Sequence, residues 1–337
     1  MVIEVDADLF AFRPDPRRAR MLDATVRADF AASIGNVLRA VAEQGAIRPD
    51  AIGPIVAAVR DPGASPGLIT AYAGLVEAIY GDRADEMAAC LAALEAAATT
   101  PRPAAVRLVT LDDGVLGPGQ AERYRGLFDD DPGSPLSIAP LPNAAMARAE
   151  GLARSGLDLL DRGVPELAGE IRAILREIVF VRSDAAAPEE TFQGASVFLA
   201  WGAVLLNIDE QPDRVAFAES LAHETGHSLL SGLSRGTPLV ENPPDERHAS
   251  PLRSDPRPLE GIVHATYVLA RMHYCLARLL ESGLLAADER SAATTALAER
   301  RRAFATGLAV VDAQARLTDL GRAAFEPART YMAALPA

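Results

Sequence analysis

Apolar positions recur at helical spacing over residues 19–98, interrupted by turn punctuation at Arg48-Pro49-Asp50 and from Asp61-Pro62-Gly63 to Pro66-Gly67. Residues 84–98 are almost wholly strong helix formers. A short apolar run at 106–111 predicts a strand, and the Gly-, Pro- and Asp-rich residues 112–142 predict a loop. Helical periodicity returns at 143–161 and 164–177. The texture then changes: 178–181, 195–199 and 203–208 read as buried strands, with Trp201-Gly202 as a turn between the last two. Asp213 is placed to cap a helix over 214–231 that ends near Gly232 or Gly236. After a polar, Pro-rich loop at 236–258, three helices are predicted at 259–281, 286–313 and 317–335.

These elements predict a mainly α fold with a small β-sheet, an α+β chain whose strands precede a long helix in the zincin-like order. They divide it into a helical region, 1–175, of no evident task, and a region, 176–337, that carries the chemistry.

Composition narrows the function classes. Of 337 residues, 49% are hydrophobic and 5% aromatic, enough apolar material for a sizeable core. All 33 basic residues are Arg, so an anionic ligand would be met by planar, permanently charged guanidinium groups. The net charge of −13 and the lack of a basic stripe argue against nucleic acid as a partner. Neither an 18-residue apolar run nor a signal-peptide pattern is present, so no membrane partner and a cytoplasmic location are expected. Cys90 and Cys275 stand apart, on helical stretches, and are expected to be buried free thiols.

The chemistry-bearing motif is His223-Glu224-Thr225-Gly226-His227 on the helix at 214–231. Histidines four apart lie about 6 Å apart along a helix axis and share a face, so both can reach one metal ion. Glu224 is placed beside a metal-bound water or a ligand. Val215, Phe217, Ala218, Leu221, Leu229 and Leu230 make the helix partly buried. The metzincin extension is excluded, because Leu230 and Leu233 occupy the positions of its glycine and third histidine. A third ligand is then sought on the next helix, where Glu260 and His264 form another i, i+4 pair. Glu260 also suits a solvated first turn, and His264, among Ile262, Val263 and Ala265, suits a hydrogen-bonded core position as well as a ligand. His248 and His273 are expected to be bystanders.

These residues fit two chemistries equally. A zinc peptidase uses three protein ligands, a water, and Glu224 as general base. An iron oxygenase leaves positions free for a keto acid and O₂, and needs an arginine for the distal carboxylate. Arg253 and Arg257 stand in a proline-stiffened stretch, Ser250-Pro-Leu-Arg-Ser-Asp-Pro-Arg-Pro258, just before the helix with Glu260 and His264. A structural zinc in an inactive peptide-binding scaffold, closed by both Glu260 and His264, is a third reading.

The motif at 223–227 followed by residues 250–267 resembles the HExxH family of peptide-modification proteins of ribosomal peptide natural product clusters. The resemblance covers about residues 176–285. That family includes peptide β-hydroxylases dependent on Fe(II) and α-ketoglutarate. The resemblance implies Fe(II), α-ketoglutarate and O₂ as cofactors and co-substrates, with hydroxylation at the β-carbon of a residue in a ribosomal precursor peptide. It implies His223, His227 and His264 as iron ligands (Glu260 the alternative third), Arg257 or Arg253 on the co-substrate carboxylate, and Glu224 orienting a ligand or water. A zinc-dependent metallopeptidase processing a peptide is the alternative. The strands at 195–199 and 203–208 are expected to offer an edge to which an extended peptide adds.

Overall fold

The computed structural model describes residues 7–100, 105–129, 136–184, 192–252 and 255–336. In chain order its elements are α1 (Pro16–Glu43), α2 (Pro49–Arg60), α3 (Gly67–Tyr80), α4 (Ala84–Thr99), β1 (Arg107–Thr110), α5 (Asp113–Leu116), α6 (Gln120–Phe128), β2 (Ile138–Pro140), α7 (Asn143–Gly163) and α8 (Pro165–Ile174). There follow β3 (Glu177–Ser183), β4 (Gly194–Ala195), β5 (Ala203–Asn207), α9 (Arg214–Ser234), β6 (Arg247–His248), β7 (Arg257–Pro258), α10 (Leu259–Glu281), α11 (Ala287–Gln314) and α12 (Asp319–Ala333). The fold is mainly α with a small sheet, as the patterning predicts. Among the described residues no helix is long and apolar enough to cross a membrane. Both cysteines are buried and free.

The chain forms two compact units whose segments alternate along the sequence. The sheet unit comprises Arg20–Gly151 and Arg172–Gln211, and the histidine unit comprises the described parts of Met1–Ala19, Leu152–Ile171 and Pro212–Ala337. Neither coincides with the stretches 1–175 and 176–337, because β1 pairs with β3 across 70 residues of chain while residues 152–171 associate with the C-terminal helices.

In the sheet unit the strand order is β1-β3-β5-β4, with β2 also pairing with β3. β3 runs parallel to β1 and β5, in a register that sets Ile178 opposite Val204 and Phe180 opposite Leu206. β5 is buried throughout and β3 over its first five residues, which is why both read as continuous apolar runs rather than alternating ones. The buried Glu177 at the start of β3 is satisfied: it accepts from the Tyr124 hydroxyl at 2.7 Å, Arg107 at 2.8 Å and Ser65 at 3.1 Å. The Trp201-Gly202 turn is present; Gly202 has φ of 93°, and its carbonyl accepts from the backbone N–H groups of Arg176 and Glu177.

Three expectations change. Residues 112–142 contain α5, α6 and β2. Two Asp side chains hold the helix starts: Asp112 caps α5 by accepting from Gly114 N, and Asp113 accepts from Gly119 N and Ala121 N at the start of α6, each at 2.7–2.8 Å. The strand expected at 195–199 is only β4, after which Phe198–Ala200 turn into a 3-10 helix, with Phe198 packed on Phe30 at 5.0 Å between ring centroids. β5 is no edge: it lies between β3 and β4, and the Asn207 N–H is also taken, by Gln193 O. The outer strand on that side is β4, only two residues long, so among the described residues the edge expected there is confined to Gly194–Ala195.

In the histidine unit, α9 starts at Asp213, whose carboxylate accepts from the N–H groups of Val215 and Ala216 at 2.8 and 2.9 Å. It ends with Arg235 in the left-handed conformation, three residues beyond the first predicted stop at Gly232. α9 and α10 pack antiparallel, with His223 meeting Met272, and His227 meeting His264. Gly226 permits their close approach, since a Cβ there would lie 3.0 Å from Val268 Cγ1 and 3.3 Å from Arg271 Cγ. Arg271 is buried with Glu170, to which it is paired, and donates to Phe12 O at 2.8 Å. In the stretch expected to be a loop, β6 and β7 pair antiparallel with His248 opposite Arg257.

Candidate metal centre

His223 and His227 project from one face of α9, and their Nε2 atoms stand 3.1 Å apart. Two nitrogens each about 2.0–2.1 Å from a single ion stand roughly 2.9–3.4 Å apart for bond angles of about 90–110°. The ring geometry agrees with such sharing. The ring centroids are only 4.8 Å apart at an interplanar angle of 68°, too close for the two nitrogens to face each other head-on. Both nitrogens are thus oriented obliquely to the line between them, which is compatible with their sharing one ion. The donor set therefore fits a metal at these two residues.

Burial supplies the matching charge state. It pushes the His223 imidazole down to about 4, and the positive charge of Arg300 adds to the effect. His227 is held well below its ordinary range by burial, then by its two histidine neighbours. Burial alone pushes His264 down to about 4. All three are neutral at neutral pH, which leaves their lone pairs available. The other nitrogen of His223, Nδ1, lies 3.2 Å from the Met272 sulfur, a weak acceptor that suits an Nδ1–H tautomer with Nε2 facing the metal.

Glu224 is buried, with Oε1 3.8 Å from His223 Nε2, so its carboxylate lies on the Nε2 side of that ring. His264 is brought to the site by α10 but meets the far side of His227: its Nδ1 is 3.5 Å from His227 Nδ1. Glu260 lies one turn earlier, and its carboxylate accepts from the backbone N–H groups of Leu239 and Val240 at 3.0–3.2 Å, holding the start of the loop after α9. Burial raises its pKa, and those hydrogen bonds oppose the rise. Among the described residues no three His, Cys, Asp or Glu side chains converge as a metal-ligand set. Arg257 sits on β7, its guanidinium paired with Asp255 at 2.7 Å. Arg253 lies outside the described residues. His248 bonds Glu246 at 2.7 Å, and His273 lies 3.0 Å from the Tyr331 hydroxyl.

Two residues beside the site escaped the sequence reading. Glu219, one turn before His223, is buried and pairs with Arg300 of α11 at 2.7 Å. Its i−4 spacing to His223 was a usable signal. Nothing in the sequence announces Arg300, because it reaches Glu219 across 81 residues of chain. No protein-family model matches this chain, and no curated protein matches it.

Proposed function

We propose that this chain is an Fe(II)- and α-ketoglutarate-dependent hydroxylase that acts on the β-carbon of a residue in a ribosomally made precursor peptide, with iron held by His223 and His227. The observation that supports the metal reading is the pair of neutral imidazoles whose Nε2 atoms stand 3.1 Å apart, on a helix that also sets Glu224 beside them. The choice of iron chemistry rests on the resemblance of residues 223–227 and 250–267 to the peptide-modification family. Bound iron, with α-ketoglutarate and O₂, supplies the oxidation that inserts a hydroxyl group. The chain's own residues bind and orient. Met272 and the α9 backbone fix the His223 ring, and Glu224 orients a ligand or water on the metal side. The resemblance assigns the distal carboxylate of the co-substrate to Arg257, which is paired with Asp255 at the entry to α10.

The test is anaerobic reconstitution with Fe(II), then succinate measured in air with and without the precursor peptide. Succinate production stimulated by peptide, with a peptide mass gain of one oxygen, supports the hydroxylase. No succinate and an unmodified peptide would overturn it.

A zinc-dependent peptidase is the second reading, and the position of Glu224 favours it. A carboxylate 3.8 Å from His223 Nε2, facing the metal side, is where a general base for a metal-bound water belongs. That reading expects tightly retained zinc and a shortened peptide whose formation stops in Glu224→Gln. The hydroxylase reading expects no shortened peptide, with or without Glu224.

A further inference from the structure

His264 is the residue that sequence and resemblance offer as a third ligand, yet its ring meets His227 in a different way from the ring of His223. The His227 and His264 rings lie within 16° of parallel, with centroids 5.7 Å apart and Nδ1 atoms 3.5 Å apart. That centroid separation nearly equals the nitrogen–nitrogen distance plus one ring radius at each end. The two rings are therefore edge to edge in almost one plane, each Nδ1 aimed at the other, and not stacked face to face. An imidazole N–H and lone pair both lie in the ring plane, so this is the geometry of a donor and an acceptor. The His223 and His227 rings, inclined at 68° with centroids only 4.8 Å apart for nitrogens at 3.1 Å, do not meet head-on, an arrangement that suits two ligands of one ion.

His227 cannot present both its nitrogens to one ion. With Nε2 turned to the point it shares with His223, its Nδ1 carries the proton and needs an acceptor. Nδ1 of His264 is the group facing it. An accepting Nδ1 puts the His264 proton on Nε2, which lies on the side of the Glu260 carboxylate, 3.8 Å away. Glu260 is in turn fixed by the Leu239 and Val240 N–H groups. A carboxylate, two imidazoles and a metal position thus stand in order.

We propose that His264 is a positioning residue that accepts a hydrogen bond from His227 and so aims His227 Nε2 at the metal, rather than a third ligand. The proposal rests on the reading of His223 and His227 as metal ligands. It leaves the protein with two imidazole donors, both from α9.

Cu(II) is the probe, loaded into the full-length chain, because pulsed EPR counts the imidazoles bound to it. The expected result is two imidazoles in the wild type and still two in His264→Ala, with Cu(II) affinity lowered about 10–100-fold, the usual effect of losing a partner behind a ligand. His264→Gln, whose amide oxygen can accept the same hydrogen bond, is expected to recover most of that affinity with the count unchanged. If His264→Ala fails to fold, the count in His264→Gln decides alone. Three imidazoles in the wild type and two in either variant would make His264 a ligand and overturn the proposal while leaving His223 and His227 in place. Unchanged affinity in His264→Ala would overturn the positioning role. A wild type with no imidazole-bound Cu(II), or a signal that survives in His223→Ala, would remove the metal reading itself, and the proposal with it.

Discussion

At the residue scale, the site histidines are held uncharged by the protein around them, and that has a measurable consequence for the metal-free chain. His223, His264 and His273 are each pushed down to about 4, and His227 well below its ordinary 6.5. The folded state therefore binds fewer protons than the unfolded chain once the pH drops below about 6.5. The stability that comes from keeping these rings neutral is fully present above that pH and is lost as pH falls toward about 4. Urea midpoints of the metal-free protein are expected to decline steadily between about pH 7 and about pH 5, and less steeply in His264→Ala. A midpoint that stays flat across that window would mean the rings protonate in the fold.

At the scale of the element, α9 is a helix whose sequence carries its own start, its metal face and its packing face at once. Asp213 caps two N–H groups, so Asp213→Ala is expected to cost about 0.5–2 kcal/mol in equilibrium unfolding. Gly226 lies between the two histidines, and its missing Cβ lets α10 approach to within 3.0 Å of where that carbon would be. Gly226→Ala requires the Val268 and Arg271 side chains to give by a few tenths of an ångström; a packing cost of about 1–3 kcal/mol is then partly offset by about 1 kcal/mol of helix propensity, for a net loss of up to about 2 kcal/mol. Because His227 meets His264 across this same contact, the variant is also expected to weaken metal binding; unchanged stability and metal affinity together would show that the helices yield without moving the rings. These features explain what was legible in advance. The cap, the i, i+4 histidines and the long apolar stripe of α10 are local patterns, each set by residues within a turn or two of one another. The bounds of α9 and α10 therefore fall within a few residues of their predicted positions. The helices within 112–142 were missed because Asp112 and Asp113 hold helix starts with the same carboxylates that mark turns. The strand at 195–199 was overextended because a short apolar run looks alike in a strand and in a 3-10 turn packed on Phe30. At the site, spacing alone gave the α9 face, but whether His264 points at the metal or at the back of His227 depends on the register of α10 against α9, which no local pattern encodes.

At the scale of the whole molecule, the alternation of the two units along the sequence decides what can be cut away. Residues 176–337 contain the whole motif, yet the histidine unit also takes in Leu152–Ile171 and the residues before Arg20. Those segments meet buried charge on α10. Glu170, itself fully buried, pairs with Arg271 and with Arg18, the latter at 3.3 Å, while Glu166 accepts from the Tyr274 hydroxyl at 2.7 Å and Phe12 O accepts from Arg271. A fragment beginning at residue 176 would leave the Arg271 guanidinium buried without its carboxylate, directly behind the face of α10 that carries Met272. Breaking a buried pair by removing one partner costs about 3–5 kcal/mol, a large share of the stability of an ordinary domain. Glu170→Ala in the full chain is accordingly expected to lower stability by about that amount, and the 176–337 fragment to remain unfolded by circular dichroism and hydrogen exchange, with or without Zn(II) or Fe(II). A fragment that folded and bound metal through His223 and His227 would show that the motif region closes its own core without Glu170, and Arg271 would then have to find another partner or move to solvent.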